Sequence, residues 1–232
     1  MRRDRVPRWY FSLRSPYSWL AYRDLRTRYP DVLDRLEWRP FWEPDALSER
    51  LLTEAGGAFP YVAMSRAKHL YILQDVRRLV RERGEESTWP VDRDPCWEVP
   101  HLAYLAAQDE GRGAEFVDVA YRLRWNEGRD ICDSGTIAAI ARELGLGESR
   151  LVEAVDDPKL RERGTTALLE VHRDGVFGVP FFVNGYEKFW GIDRLPAFAA
   201  SVRGPGGAVE PAREPASTSD PGGDQGHAGG CG

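Results

Sequence analysis

Lysine is nearly missing from this 232-residue chain. Lys68, Lys159 and Lys188 are the only three, so almost all of the 32 cationic side chains are arginine. That bias points to a GC-rich genome and says nothing about mechanism. Cysteine is just as scarce. Cys96, Cys132 and Cys231 stand far apart, with no C-x-x-C pair and no metal-ligand spacing. The four histidines, His69, His101, His172 and His227, are equally dispersed. A zinc site or a dithiol redox centre would have to be assembled from distant residues, and no metal is expected. Cys96 and Cys132 read as ordinary partly buried thiols of a reducing compartment. No run of about 18 apolar residues exists, so no membrane partner is expected. The charged start Met1-Arg2-Arg3-Asp4-Arg5 leads into no apolar signal region, which makes cytoplasmic the expected location. A net charge of −5 gives no electrostatic reason to expect nucleic acid.

What is present suffices for a packed core: 42% of residues are hydrophobic and 11% aromatic. The length fits one domain of about 200 residues or two smaller ones. The most informative stretch runs from Tyr10 to Leu20. Trp9, Tyr10, Phe11 and Leu13 favour a buried strand. Ser15 is a good N-cap and Pro16 suits the first helical position, where its missing N–H costs nothing. Leu20, Tyr22, Leu25 and Tyr29 then recur at roughly helical spacing. After a turn at 30–34, Leu36 to Phe41 reads as a second strand, which completes a βαβ unit with a parallel pair.

From Pro44 the texture changes. A short helix around Leu47, Leu51 and Leu52 is followed by a Gly56-Gly57 loop. Tyr61 to Arg83 has the helical period. Gly84 to Pro100 is irregular, punctuated by Pro90, Pro95 and Pro100. Helices are expected at His101–Glu110, Ala114–Glu127, Ser134–Leu144 and Ser149–Asp156, with glycines where helix ends belong. A further helix spans Pro158–Arg173. Asn184-Gly185 between two apolar runs signals a β-hairpin, and Asp193–Val202 is the last helix. The order β-α-β, helices, α-β-β-α is that of a thioredoxin-like α/β fold split by an all-helical insertion. The expected boundaries are 7–43 and 158–203 for the thioredoxin-like part, 44–157 for the insertion and 204–232 for a disordered tail.

Four places could carry chemistry. Ser15-Pro16-Tyr17-Ser18 lies where thioredoxin folds normally keep C-x-x-C, with serine at both cysteine positions. Ser15 is either an N-cap alone or also a hydrogen-bond donor to a thiolate from elsewhere, aided by the helix dipole. Val179-Pro180 either starts an edge strand or turns backbone toward a peptide-like ligand through a cis bond. Asp193, after Gly191, is an N-cap or an ammonium ligand beside backbone that takes a carboxylate. Lys68, Tyr71, Asp75 and Arg78 share a helix face that is either a solvated stripe or one wall of a cleft.

Together these places resemble the 2-hydroxychromene-2-carboxylate isomerase family and its relative, the kappa-class glutathione transferases, within the DsbA-like thioredoxin superfamily. The resemblance spans roughly residues 7–202. It is carried by Ser15 to Ser18, by the Lys68-x-x-Tyr71-x-x-x-Asp75-x-x-Arg78 helix, by Gly175 to Pro180 and by Phe189 to Leu195. The loops Gly56–Pro60 and Asp94–Pro100 depart from the family pattern. The resemblance implies glutathione, or another low-molecular-weight thiol, as cofactor. Ser15 would lie beside its sulfur, Val179 and Pro180 beside its backbone, and Asp193 and Arg194 at its γ-glutamyl end. It implies a thiol-dependent isomerase of a conjugated aromatic or polyketide-like small molecule, with Ser15 and Lys68 as catalytic residues. Tyr17, Trp42, Phe59, Tyr71 and Trp97 are candidates to line the substrate pocket. A kappa-like transferase and a non-catalytic thioredoxin-fold binding protein are the alternatives. Members of the family are often dimers, so a homodimer is within what the resemblance implies.

Overall fold

A computed structural model of the chain describes residues 6–60 and 64–204. The expected disordered tail therefore lies, beyond Gly204, outside the described residues. Strand β1 (Arg8–Phe11) leads through a tight turn into helix α1 (Pro16–Arg28), a single helical turn α2 (Pro30–Leu33) and strand β2 (Glu37–Pro40). Helices α3 (Ala46–Glu54), α4 (Arg66–Glu82), α5 (Glu98–Asp109), α6 (Gly113–Tyr121), α7 (Ser134–Leu144) and α8 (Glu148–Val152) follow, with no strand between them among the described residues. Helix α9 (Pro158–Asp174), strands β3 (Phe181–Asn184) and β4 (Glu187–Trp190), and helix α10 (Leu195–Arg203) close the chain. This is a thioredoxin-like fold with a helical insertion.

The sheet has the order β2-β1-β3-β4. β1 runs parallel to β2 and antiparallel to β3, and β3 pairs antiparallel with β4. Alternation along the strands splits their side chains between two faces. Trp9 stacks on Tyr22 of α1, and Phe182 and Phe189 meet Phe198 of α10. Tyr10, Phe181 and Val183 turn the other way, onto Val171 of α9. The core on the α1 side continues without a break into the helical segment, where Phe11 meets Tyr104 of α5 edge-on.

Local chemistry explains where the elements end. Asp133 and Asp157 cap α7 and α9, and Gly145 and Gly175 close them in the left-handed conformation, with φ of 68° and 64°. Other boundaries differ from the sequence expectations. The helix expected over Tyr61–Arg83 starts at Arg66, capped by Ser65, and residues 61–63 lie outside the described residues. Pro100 belongs to the first turn of α5, where a residue without an N–H leaves no bond unmade. The helix expected to reach Glu127 loosens into a π-helical turn over Arg122–Asn126. The hairpin centres on Gly185-Tyr186, since Asn184 already pairs with Glu187. Asp193 does not cap α10: it lies in a 3-10 turn, Ile192–Arg194, and the helix begins at Leu195 with no side-chain cap.

Candidate functional site at one end of the sheet

The strand register collects the chemistry-bearing segments. Tyr10 pairs with Phe181, and Phe181 with Trp190. The turn after β1, the loop before β3 and the segment after β4 therefore share one end of the sheet. That end carries Ser15, the Val179–Pro180 peptide and Gly191–Arg194. The Val179–Pro180 bond is cis. Gly191 N–H donates to the Pro180 carbonyl at 3.0 Å, joining the second and third segments. The Ile192–Arg194 turn packs against α1, joining the third to the first.

The Ser15 turn is heavily bonded. Ser15 Oγ accepts from Ser18 N–H at 3.2 Å, so the capping role is real. A hydroxyl has a proton to give as well as lone pairs to receive, and the Ser15 proton makes no bond among the described residues. Ser15 is half-buried at the positive end of α1. Ser18 is fully buried, and its Oγ accepts from Ser12 N–H at 3.3 Å. The second serine thus builds the turn and does not face a ligand. Two further residues hold this turn that sequence reasoning did not single out. Leu13 N–H donates to Nε2 of His101 at 3.2 Å, and the Tyr121 hydroxyl donates to the Ser12 carbonyl at 3.1 Å. Both come from the helical segment, 88 and 109 residues away in sequence.

Across the sheet end, neither the N–H nor the C=O of Val179 bonds to another backbone group among the described residues. A peptide-like ligand could pair there in a β-like manner. The Asp193 carboxyl is 70% exposed, with Arg194 at 3.7 Å. Gly191, at φ 99°, lets that carboxylate fold back over it: an added Cβ would stand 2.6 Å from Asp193 Oδ1.

The α4 face reaches the site through Tyr17, whose hydroxyl donates to Asp75 Oδ2 at 2.8 Å. Arg78 donates to the same carboxylate at 2.8 Å and lies over the ring of Tyr71, which is 57% exposed. Burial raises the Asp75 carboxyl, but bonds from Arg78 and Tyr17 outweigh it and hold the group below the usual carboxylate range. Burial, and then the bond to Asp75, push the Tyr17 phenol upward. Lys68 is exposed and has no ion-pair partner among the described residues. It lies two turns before Asp75, about 10 Å along the helix.

The aromatic residues expected to line one pocket are scattered. Trp42 is only 1% exposed, stacks on His101 at 5.1 Å and donates to Glu98 Oε1 at 3.2 Å. It is a core residue, not a pocket wall, because an indole so placed has no surface left for a ligand. Phe59 is half-buried against Phe41. Trp97 walls a cleft of about 290 Å³ with Arg14, Cys96 and Glu98, and Arg14 lies over its ring at 5.1 Å. A larger groove of about 650 Å³, between α3 and α9, contains none of the expected residues. Asp45, Cys96 and Glu98 could bring three ligand atoms within 4.8 Å of one another, a grouping the sequence spacing did not reveal. No helix among the described residues is long and apolar enough to cross a membrane.

The family comparison agrees with the topology. The family described as DSBA-like thioredoxin domain matches residues 8–203. The chain belongs to this family. It is 29% identical over 192 residues to the 2-hydroxychromene-2-carboxylate isomerase of Sphingobium xenophagum, a match covering 80% of this chain and 92% of that protein. Among solved structures, a 2-hydroxychromene-2-carboxylate isomerase superposes with a TM-score of 0.68 at 23% identity, covering 85% of this chain and 94% of that one. The cytosolic disulfide reductase DsbM of Pseudomonas aeruginosa, solved with GSH, superposes at 0.55 with 19% identity, covering 83% and 92%. Within this DSBA-like family the present chain has Ser15 and Ser18, so disulfide cycling at the turn is closed to it.

Proposed function

We propose that the protein is a thiol-dependent isomerase of the 2-hydroxychromene-2-carboxylate isomerase type, acting on a conjugated small molecule with glutathione as cofactor. The name of the Sphingobium relative supports the reaction class. The DsbM fold neighbour, solved with GSH, and the family resemblance favour glutathione among thiols. The observation that carries the reading is the Ser15 hydroxyl. Its lone pair caps α1 while its proton stays uncommitted among the described residues, half-buried at a helix N-terminus.

When bound, glutathione would supply a sulfur nucleophile for reversible addition to a conjugated carbonyl compound, so substrate and product would have equal mass and nothing would be oxidised. Ser15 donates its proton in a hydrogen bond to the thiolate, and the α1 dipole adds to that stabilisation. The Val179 backbone receives the cofactor's peptide, and Pro180 fixes the direction of that backbone. Asp193 binds the γ-glutamyl ammonium, and Arg194 with the adjacent backbone binds its carboxylate. Lys68 offers a cation to negative charge on the substrate oxygen. Tyr17 and Tyr71, linked through Asp75 and Arg78, bound the apolar side of the site.

The test is turnover and product mass with a conjugated hydroxy-ketone acid and glutathione. Wild type gives an isomer of equal mass, and Ser15→Ala loses activity by more than about tenfold, at least ~1.4 kcal/mol of transition-state stabilisation. A glutathione adduct as the product would instead make the protein a transferase. Unchanged turnover in Ser15→Ala would take Ser15 out of the mechanism.

A further inference from the structure

We infer that His101 is a positioning residue for the Ser15 hydroxyl: a buried imidazole of the helical segment fixes the backbone of the turn that presents this group to sulfur. The inference rests on the thiol reading above and adds to it a residue outside the thioredoxin-like part.

The ring is fully buried and stacked on Trp42 with an interplanar angle of 16°. Its Nδ1 lies 2.7 Å from the Trp97 carbonyl. A carbonyl can only accept, so Nδ1 carries the proton and Nε2 is the acceptor. That acceptor takes the N–H of Leu13, two residues before Ser15. Burial lowers the pKa of His101 to about 3, so the ring stays neutral and Nε2 remains an acceptor at working pH.

The other N–H groups of the turn are bonded within it. Ser12 N–H goes to Ser18 Oγ, Arg14 N–H to Ser12 Oγ, and Ser15 N–H to the Ser12 carbonyl. Leu13 itself is fully buried, so without His101 its N–H would lose the acceptor it has at a place water does not reach. A buried donor left unmade is relieved by moving the backbone. A shift of a fraction of an ångström there changes how the Ser15 hydroxyl meets sulfur. Tyr121 braces the same turn from α6, through the Ser12 carbonyl.

Three variants separate positioning from mere packing. His101→Phe keeps a ring to stack on Trp42 and removes the acceptor. His101→Gln restores an acceptor in a similar volume. Tyr121→Phe removes only the hydroxyl, and it serves as the reporter if His101→Phe does not fold. The readout is the thiolate fraction of bound glutathione at neutral pH, by ultraviolet absorbance, beside its dissociation constant. In His101→Phe the thiolate fraction falls about threefold or more with a smaller change in affinity, and His101→Gln recovers most of it. A thiol-free arm follows amide hydrogen exchange at Leu13 and Ser15, which accelerates about tenfold or more in His101→Phe but not in His101→Gln. Unchanged exchange overturns the inference, and so does faster exchange with an unchanged thiolate fraction. Failure of wild type to take up glutathione overturns the proposed function instead, and the exchange arm still decides whether His101 holds the turn.

Discussion

Residues 12–18 and residues 176–194 meet at the same end of the sheet, yet they are built in opposite ways. In the first segment Ser12, Leu13 and Ser18 are buried, and side chains from the helical segment hold the backbone. In the second, Phe177 and Trp190 are each 53% exposed and touch mainly one another and Phe181. The Asp193 carboxyl faces solvent, and the Val179 backbone has no backbone partner among the described residues. The contrast separates two tasks. On the proposed thiol reading, the turn that aims a hydroxyl is fixed before any ligand arrives, and the segment that receives the ligand leaves its polar groups unspent.

The largest effect expected from breaking the brace is that of Trp42→Ala. It removes the indole behind His101 and the bond to Glu98, and stability should fall by about 3–5 kcal/mol in chemical denaturation. Next comes the acid dependence of His101. Its folded pKa, about 3, lies below the ordinary 6.5, so below pH 6.5 the unfolded chain binds a proton that the folded protein refuses. The stability is present above 6.5 and is lost as the pH falls toward 3. Denaturation curves should show a loss from this group of roughly 2–3 kcal/mol by about pH 4.5. That part of the slope should be missing from His101→Gln. Tyr17→Phe should cost about 1 kcal/mol, because it unties α1 from Asp75 at a partly buried site. Trp190→Ala, on the open segment, should change stability by less than about 1 kcal/mol. A Trp190→Ala variant as damaged as Trp42→Ala would erase the distinction between the two segments.

The fold was legible wherever its signals were local. The span of α7, Ser134–Leu144, could be read to the residue because Asp133 caps it and Gly145 ends it. The parallel β1–β2 pair and the hairpin followed from short-range pattern, and Ser15 as a cap followed from Ser-Pro at a helix start. What could not be read depends on contacts between residues distant in sequence. His101 shows no local peculiarity, and its role exists only because α5 delivers it to Leu13. Trp42 looked like a pocket residue for the same reason: an indole next to a predicted strand end gives no sign of whether a helix will cover it. Asp193 looked like a cap because Asp before an apolar helical run usually is one. Here a 3-10 turn intervenes and leaves the carboxylate outside the helix.

The central claim is that the Ser15 hydroxyl and the Val179 backbone hold one thiol between them. A crystal structure of the protein with glutathione tests it most directly. The account predicts the sulfur within about 3.5 Å of Ser15 Oγ and the cofactor's peptide paired with the N–H and C=O of Val179. Glutathione bound with its sulfur away from Ser15, or absent from this end of the sheet at saturating concentration, would contradict it.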